Sequence, residues 1–341
     1  MGITLMDIAE KIGVSTATIS RVINKEQNVS PETKQKVEEA LKSFNYQCRL
    51  RKKSSASKNQ DRVFIIAGQI NNPITVEYLD GLTERLHRFK KQALIAFSDY
   101  QEDIEIENLE YAKANGFSGI FLVNAIECPR LIELISSTNA PVILINRYLR
   151  SMDCNLVMID NFRCGYMATQ FLIDHGHKRI GHLAGPLTSI TCQDRERGFS
   201  EAMRYNNLSI EQSLIFNTDR NYYESGKKYG LLIGKMPSDK RCTAVFAATA
   251  LMASGMIESL NTCGLKVPGD ISVICSDDSE NVLHQHTGIT TVGRNPYMMG
   301  QAAAELFEER LKEPNSPQRR IVFAPQIIER QSVKQLETEA N

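Results

Sequence analysis

A chain of 341 residues, 42% hydrophobic and 23% charged, is long enough for two or three domains and has the make-up of a soluble globular protein rather than a disordered one. Its apolar runs, such as Val63–Gly68 and Pro141–Asn146, are of strand length and fall far short of the ~20 residues a membrane span needs. The start MGITLMDIAEK has no basic stretch leading into an apolar run, which argues against a secretory signal and predicts a cytoplasmic protein with no membrane partner. The 40 Lys and Arg balance the 40 Asp and Glu overall, but residues 1–58 hold 11 basic against 6 acidic groups and the remainder 29 against 34. A basic head on an acidic body places any polyanionic partner at the head. None of the eight cysteines (Cys48, Cys128, Cys154, Cys164, Cys192, Cys242, Cys263 and Cys275) stands in a C-x-x-C pair, which argues for reduced thiols and against a zinc site or a disulfide framework.

The first predicted helix carries Leu5, Ile8, Ala9 and Ile12 on one face, with Thr4 able to cap its start and Asp7 favouring the positive end of its dipole. Gly13 can end it in the left-handed region, and Ser15 caps a second helix whose Ile19, Val22 and Ile23 face inward. So short a turn forces the two helices to cross sharply, as in a helix-turn-helix. The second helix leaves Thr16, Ala17, Ser20 and Arg21 outward. The small residues allow close approach to base edges, and Arg21 can reach a guanine or a phosphate. Ser30-Pro31-Glu32 opens a third helix, with Val37, Ala40, Leu41 and Phe44 closing a small core.

Residues 47–61, QCRLRKKSSASKNQD, have almost no apolar content and read as a linker with a cationic run at Arg49, Arg51, Lys52 and Lys53. Beyond it, strand candidates alternate with amphipathic helices. A first series comprises Val63–Gly68, Leu94–Phe97, Gly119–Val123, Val142–Ile145 and Val157–Ile159. A second comprises Ile180–Ala184, Leu214–Phe216, Ala244–Ala247, Ser272–Cys275 and Thr290–Val292, with a last strand at Ile321–Ala324. Helical patterns run over Tyr78–Lys91, Gly165–His175, Arg197–Asn206 and Ala250–Cys263. Two such series predict two similar α/β lobes with parallel, doubly wound sheets, and ligands bind such sheets beyond the carboxyl ends of their strands.

TLMDIAEKIGVSTATISRVIN, VSPETKQKVEEALKSFNY, HGHKRIGHLAGP, GLKVPGDISVICSDD and ITTVGRN together resemble the lactose-repressor family of bacterial regulators, in order and over nearly the whole chain. The resemblance implies an all-α helix-turn-helix head at 1–46, a hinge at 47–61 and a two-lobed, periplasmic-binding-protein-like α/β core at 62–341. One lobe would take 62–160 and 293–323, the other 161–292 and 324–335. It implies a homodimer on a pseudo-palindromic duplex operator, its affinity controlled by a small effector, a sugar or sugar derivative, bound between the lobes. It places Thr16 and Ala17 at base-reading positions, Arg21 on a base or phosphate and Asn24 on the backbone. Thr4, Leu5, Ser15, Ser20, Arg49, Arg51, Lys52, Lys53 and Ser55 complete the expected DNA-contacting set. The family's hinge helix wedges a leucine into the minor groove, whereas Cys48, Arg49, Lys52 and Ser55 stand in the hinge places here. A serine is a poor wedge, so the expectation is phosphate contact by the cationic run and weaker DNA bending.

In the core the resemblance makes Arg195 the effector-binding arginine and Asp277 its partner, with Asn146, Arg147 and Arg294 as further candidates. Arg195 could instead form a surface salt bridge with Asp194 or Glu196, and Asp277 could cap a helix. Other positions depart from the family: Ile74-Thr75 replaces an aromatic pair after Pro73, Thr249-Ala250 replaces an Asn-Asp or Ser-Asp pair, and Asn221, beside Tyr222 and Tyr223, replaces an aromatic. Ile74, Asn221, Tyr222 and Thr249 are nonetheless expected to line the pocket, and three arginines would favour an acidic ligand. His175, His177 and His182 fall on a family signature at a helix end and read as structural. No phosphate-binding glycine loop, nucleophile elbow or H-E-x-x-H is present, no cofactor is expected, and adjacent Asp277-Asp278 make a poor acid–base pair. A transport receptor would share the core but would need export and have no use for the head. An enzyme would need phosphate loops or metal ligands.

Overall fold

The computed structural model describes residues 5–23, 29–43, 61–219, 222–279 and 288–336. It divides into two compact units, Met1–Ser54 and Ser55–Asn341.

The smaller unit holds α1 (Leu5–Ile12), α2 (Thr16–Ile23) and α3 (Pro31–Ser43). Gly13 stops α1 at φ +68°, where a Cβ would be strained, and the Val14 N–H returns to the Ala9 carbonyl at 3.1 Å. Ser15 Oγ then accepts from the Thr18 N–H at 3.1 Å, and Ser30 Oγ from the Thr33 N–H at 3.3 Å. Both are serine caps that satisfy an N–H the helix itself leaves free. Ile8, Ala9, Ile19, Val22, Val37 and Ala40 form the buried centre, with Ile12 and Leu41 packed against it. The inward side chains expected at Leu5, Ile23 and Phe44 lie outside the described side chains, as do the Thr4 cap and the Asp7 carboxylate. The linker 47–60, and with it any observation on the expected hinge contacts, also lies outside the described residues.

The larger unit contains two six-stranded sheets. The first comprises β1 (Arg62–Ala67), β2 (Gln92–Phe97), β3 (Gly119–Val123), β4 (Val142–Ile145), β5 (Asn155–Ile159) and β11 (Arg320–Phe323). The second comprises β6 (Ile180–Gly185), β7 (Ile215–Asn217), β8 (Ala244–Ala247), β9 (Ser272–Ser276), β10 (Thr290–Gly293) and β12 (Gln326–Ile328). Their orders, 11-5-4-3-1-2 and 12-10-9-8-6-7, are the same doubly wound path twice. All pairings are parallel except β10 with β12, so the second sheet departs from the all-parallel expectation at one edge. At three residues, β12 is too short to show an alternating pattern, and the sequence reading does not contain it.

Both sheets are covered on both faces. In β1, Val63, Ile65 and Ala67 point to one core, and Phe64 and Ile66 to another. The first core receives α4 (Pro73–Arg88), α7 (Asn161–Asp174), α8 (Ile190–Tyr205) and α11 (Pro296–Lys312), and runs unbroken from Val63 to Ile274 in the second sheet. Two outer cores receive α5 (Glu102–Ala114) with α6 (Pro129–Ser136), and α9 (Tyr223–Gly234) with α10 (Ala250–Thr262). α4 begins five residues ahead of the expected Tyr78 because Pro73, whose fixed φ suits a first helical position, starts the helix before its apolar stripe does.

Three helix pairs cross at glycines. A Cβ on Gly165 of α7 would sit 2.0 Å from the Arg195 carbonyl oxygen of α8, and one on Gly198 2.1 Å from that of Phe162. The same reciprocal geometry joins Gly81 with Gly300 across α4 and α11, and Gly226 with Gly255 across α9 and α10. In each pair the obstructing carbonyl lies three residues before the partner glycine, so backbone rests directly on backbone.

Candidate functional site

In the smaller unit Ser15, Thr16 and Arg21 are exposed on the start and outer face of α2. Ala17 and Ser20 share that helix, and Leu5 begins α1. Asn24, Arg49, Arg51, Lys52, Lys53 and Ser55 fall outside the described residues. An exposed polar face on the second of two sharply crossing helices can enter a major groove.

In the larger unit topology locates the site. Each strand order reverses where β1 meets β3 and where β6 meets β8, and open α/β sheets bind ligands beyond the carboxyl ends at such points. A cavity of about 50 Å³ lies there, walled by Asn72, Ile74, Tyr100, Asn124, Asn146, Arg147, Thr191, Arg195, Thr249, Asp277 and Ser279, among others. A larger groove, about 1070 Å³, opens at the other end of the first sheet, against the amino ends of its strands near Ser118, Pro141 and Asn155. Topology therefore favours the small cavity over the large groove. The backbone is unusual at the cavity too: Tyr100, Asn124, Asn146 and Asp277 adopt φ values of +56°, +66°, +74° and +74°. Such left-handed non-glycine residues cluster where surrounding structure enforces a functional geometry.

Arg195 and Asp277 form the centre of the wall. Arg195 donates from Nε to Asn161 Oδ1 at 2.9 Å, from Nη1 to the Ala248 carbonyl, and from Nη2 to Asp277 Oδ1 at 2.8 Å. It thus ties α7, the end of β8 and the end of β9 together. Of the two alternative partners, Asp194 pairs with Arg197 instead. Burial works against the Arg195 charge, yet Asp277 holds the guanidinium above its ordinary pKa. Burial pushes the Asp277 carboxyl up, and Arg195 offsets that only in part. The 2.8 Å contact decides for a charged pair, since the guanidinium cannot shed its proton. Beside them the fully buried Tyr78 is kept protonated by burial and by Asp277.

Arg147 follows β4. Its guanidinium lies 5.5 Å from the Tyr100 ring centre and donates to the Asn124 carbonyl at 3.3 Å, while its Nε is buried with no partner. Asn146 donates to Asn124 Oδ1 at 2.6 Å and leaves its own Oδ1 unpaired. Thr249 lines the cavity but spends its hydroxyl on capping α10, accepting from Met252 at 3.3 Å. Arg294 lies in a small adjoining space with Tyr78, Arg195 and Asp277. Tyr222 stands outside the cavity wall and donates to Gln69 Oε1 at 2.9 Å, joining the two halves. Ser279 makes a second such bridge, to Glu77 at 2.6 Å. Asn221 lies outside the described residues.

The sequence reading did not contain Asn72, Tyr100, Asn124, Asn161, Thr191 or Ser279. Tyr100, Asn124 and Ser279 stand just past apolar strands, a position that could have marked them.

Glu105 is a buried carboxyl behind this wall, accepting from the Ile126 N–H at 2.9 Å. Burial raises its pKa from 4.5 to about 7, against the pull of the Ile126 N–H and of Arg147. Below pH 4.5 the folded and unfolded chains both hold this proton and the group costs nothing. Between 4.5 and 7 only the unfolded chain releases it, so stability falls as pH rises and the cost levels off above pH 7 at roughly 3 kcal/mol. Glu105→Gln keeps an acceptor for Ile126 and should therefore gain stability over the parent at pH 8 but not at pH 4. Parallel urea midpoints for the two proteins at both pH values would refute this.

His177 and His182 are structural. His182 is sandwiched between Phe199 and Phe246, each ring centre 4.8 Å away, and burial lowers both His177 and His182 to about 4. Among the described residues no group of three His, Cys, Asp or Glu could hold a metal, and no helix is long and apolar enough to cross a membrane.

A helix-turn-helix unit followed by a two-sheet core with a polar cavity at its switch points defines a ligand-responsive DNA-binding regulator. The model for bacterial regulatory proteins of the lacI family matches residues 4–48, and that for a periplasmic binding protein-like domain matches 169–333. The chain belongs to the lacI family. It is 29% identical over 341 residues to the HTH-type transcriptional regulator DegA of Bacillus subtilis, covering 99% of this chain and 100% of that one. It is 27% identical over 334 residues to the HTH-type transcriptional repressor PurR of Mannheimia succiniciproducens, covering 98% and 99%. A transcriptional regulator CelR–cellobiose complex superposes with a TM-score of 0.72 at 27% identity, covering 97% and 99%. The lac repressor dimer bound to operator shares the fold, with a TM-score of 0.73 at 20% identity, covering 98% and 100%. The chain is thus a DNA-binding transcription regulator with an effector-binding core, not an enzyme.

Proposed function

We propose that the chain is a cytoplasmic homodimeric repressor whose hold on a pseudo-palindromic operator is set by a sugar or sugar derivative bound at the strand ends of the core. The observation that carries this reading is the cavity itself. Asn72, Asn124, Asn146, Thr191, Asp277 and Ser279 supply the mixed donors and acceptors that a polyhydroxylated ligand needs. The likeness to a regulator solved with cellobiose supports it. As it stands, the cavity has room for about four waters. A sugar therefore enters only if the halves part, breaking the bridges at Tyr222–Gln69 and Ser279–Glu77. That makes ligand entry and lobe geometry a single event, as control of a paired head requires.

Dimerisation is supported by β2, an edge strand with Leu94 and Ile95 46% and 37% exposed. An apolar edge left open would pair promiscuously. The DNA-reading set is Thr16, Ala17, Ser20 and Arg21 on α2, with Thr4, Leu5, Ser15, Asn24 and the linker cations Arg49, Arg51, Lys52 and Lys53 on the backbone, and Ser55 where the hinge would meet the minor groove.

The test is a gel shift of genomic fragments with the purified chain, with and without sugars that raise its melting temperature. Binding should weaken with salt at a log–log slope of about −0.9 per phosphate neutralised. Arg21→Ala should weaken the retained fragment by about 1–3 kcal/mol per half-site contact. Binding insensitive to salt, or unaffected by Arg21→Ala, would sink this reading of α2.

A further inference from the structure

We propose that the effector carries an acidic group, a carboxylate or a phosphate, and that Arg147, rather than Arg195, receives it. The proposal rests on the reading of the cavity as the effector site and adds the ligand's charge and its point of docking.

Among the described residues the charged side chains on the cavity wall are Arg147, Arg195 and Asp277. Asp277 is committed to Arg195, whose three nitrogens all donate within the protein. Three of its five N–H donors and its counter-charge are therefore supplied within the protein, and Arg195 acts as a brace. Arg147 is placed differently. One nitrogen donates to the Asn124 carbonyl, the plane rests near the Tyr100 ring, and Nε is buried without an acceptor. A guanidinium held in a closing, water-poor space without a counter-charge is costly, and a carboxylate or phosphate can meet its fork with two hydrogen bonds at once.

The surroundings favour the same charge. α4, α8 and α10 present their first turns to the cavity through Pro73 and Ile74, Thr191, and Ala250 and Leu251. None of the three carries an acidic residue there, although the positive end of a helix favours one. Among the described residues two further carboxyls stand behind the wall: Glu77 is engaged with Ser279, and Glu105, with its pKa raised to about 7, is about half protonated at neutral pH and neutralises Arg147 only in part. Arg294, in the adjoining space, adds a further positive charge. The unpaired Asn146 Oδ1 beside Arg147 is an acceptor suited to a neighbouring hydroxyl of the same ligand.

The experiment is isothermal titration of the full chain with matched probes: D-gluconate against D-glucitol, D-glucuronate and D-glucose 6-phosphate against D-glucose, and citrate and inorganic phosphate as anions that are not sugars. At least one acid should bind about tenfold or more tightly than its neutral mate. Arg147→Gln should weaken that acid by about 10- to 100-fold, the range for a lost hydrogen bond to charge, and Arg147→Lys should restore part of the preference. If the neutral mates bind as tightly as the acids, or Arg147→Gln leaves the acid's Kd unchanged, the proposal is overturned while the sugar reading stands. If only citrate or phosphate binds, and through Arg147, the proposal stands and the sugar reading falls. Binding by none of the probes counts against both.

Discussion

Asp277→Asn should destabilise the core by about 3–5 kcal/mol, read as a lower urea midpoint at an unchanged denaturant slope. The substitution preserves the volume of the side chain, and asparagine tolerates the left-handed backbone that position 277 requires at φ +74°. What changes is the charge facing a guanidinium only 4% exposed. With Asp277 neutral, Arg195 keeps its bonds to Asn161 and the Ala248 carbonyl but has no counter-ion, and a buried cation without one carries most of its desolvation cost. Because Arg195 joins α7, β8 and β9, the loss should also blunt any ligand-induced rise in melting temperature. A double variant, Arg195→Met with Asp277→Asn, should recover part of the loss, since the uncompensated charge goes with the arginine. A change under about 0.5 kcal/mol for Asp277→Asn would show that the pair contributes little and that Arg195 is held by its other bonds.

Gly165→Ala should cost at least about 2 kcal/mol. Alanine is worth up to about 1 kcal/mol more than glycine inside a helix, so propensity alone predicts a gain. The geometry opposes it more strongly: the new methyl would lie 2.0 Å from the Arg195 carbonyl oxygen, about half an ordinary contact distance, and that atom is backbone and cannot rotate away. Overpacking of this kind costs about 1–3 kcal/mol and sometimes more. To relieve it α8 must move away from α7, and Arg195 moves with it. Gly81→Ala provides the comparison, since its methyl meets the Tyr297 carbonyl at the same 2.0 Å in a crossing that does not carry Arg195. Both variants should melt earlier, and Gly165→Ala should in addition bind effector more weakly. Gain of stability by Gly165→Ala, or equal effector affinity for the two, would show that the crossing is looser than drawn or that Arg195 does not depend on it.

The amino-acid sequence alone determined the head and the layered form of the core. Gly13, Ser15 and Ser30 act within a few residues of themselves, as a left-handed stop and two caps, and the burial of Ile8, Ile19, Val22 and Val37 follows a helical period. Apart from β12, the strands of both lobes are short apolar runs that local composition reveals, and position along a resembling chain singled out Arg195 and Asp277. Only the tertiary structure decided what those residues do. Arg195 meets Asp277 across 82 positions and Asn161 across 34, a choice made by strand order and not by neighbours in the chain. The setting of Arg147 against Tyr100, the antiparallel seat of β12 and the three glycine crossings were equally hidden. The physical reason is reach: caps and periodicity act over one turn of chain, whereas a buried ion pair or a backbone contact exists only after separate elements have been brought together by the core they share.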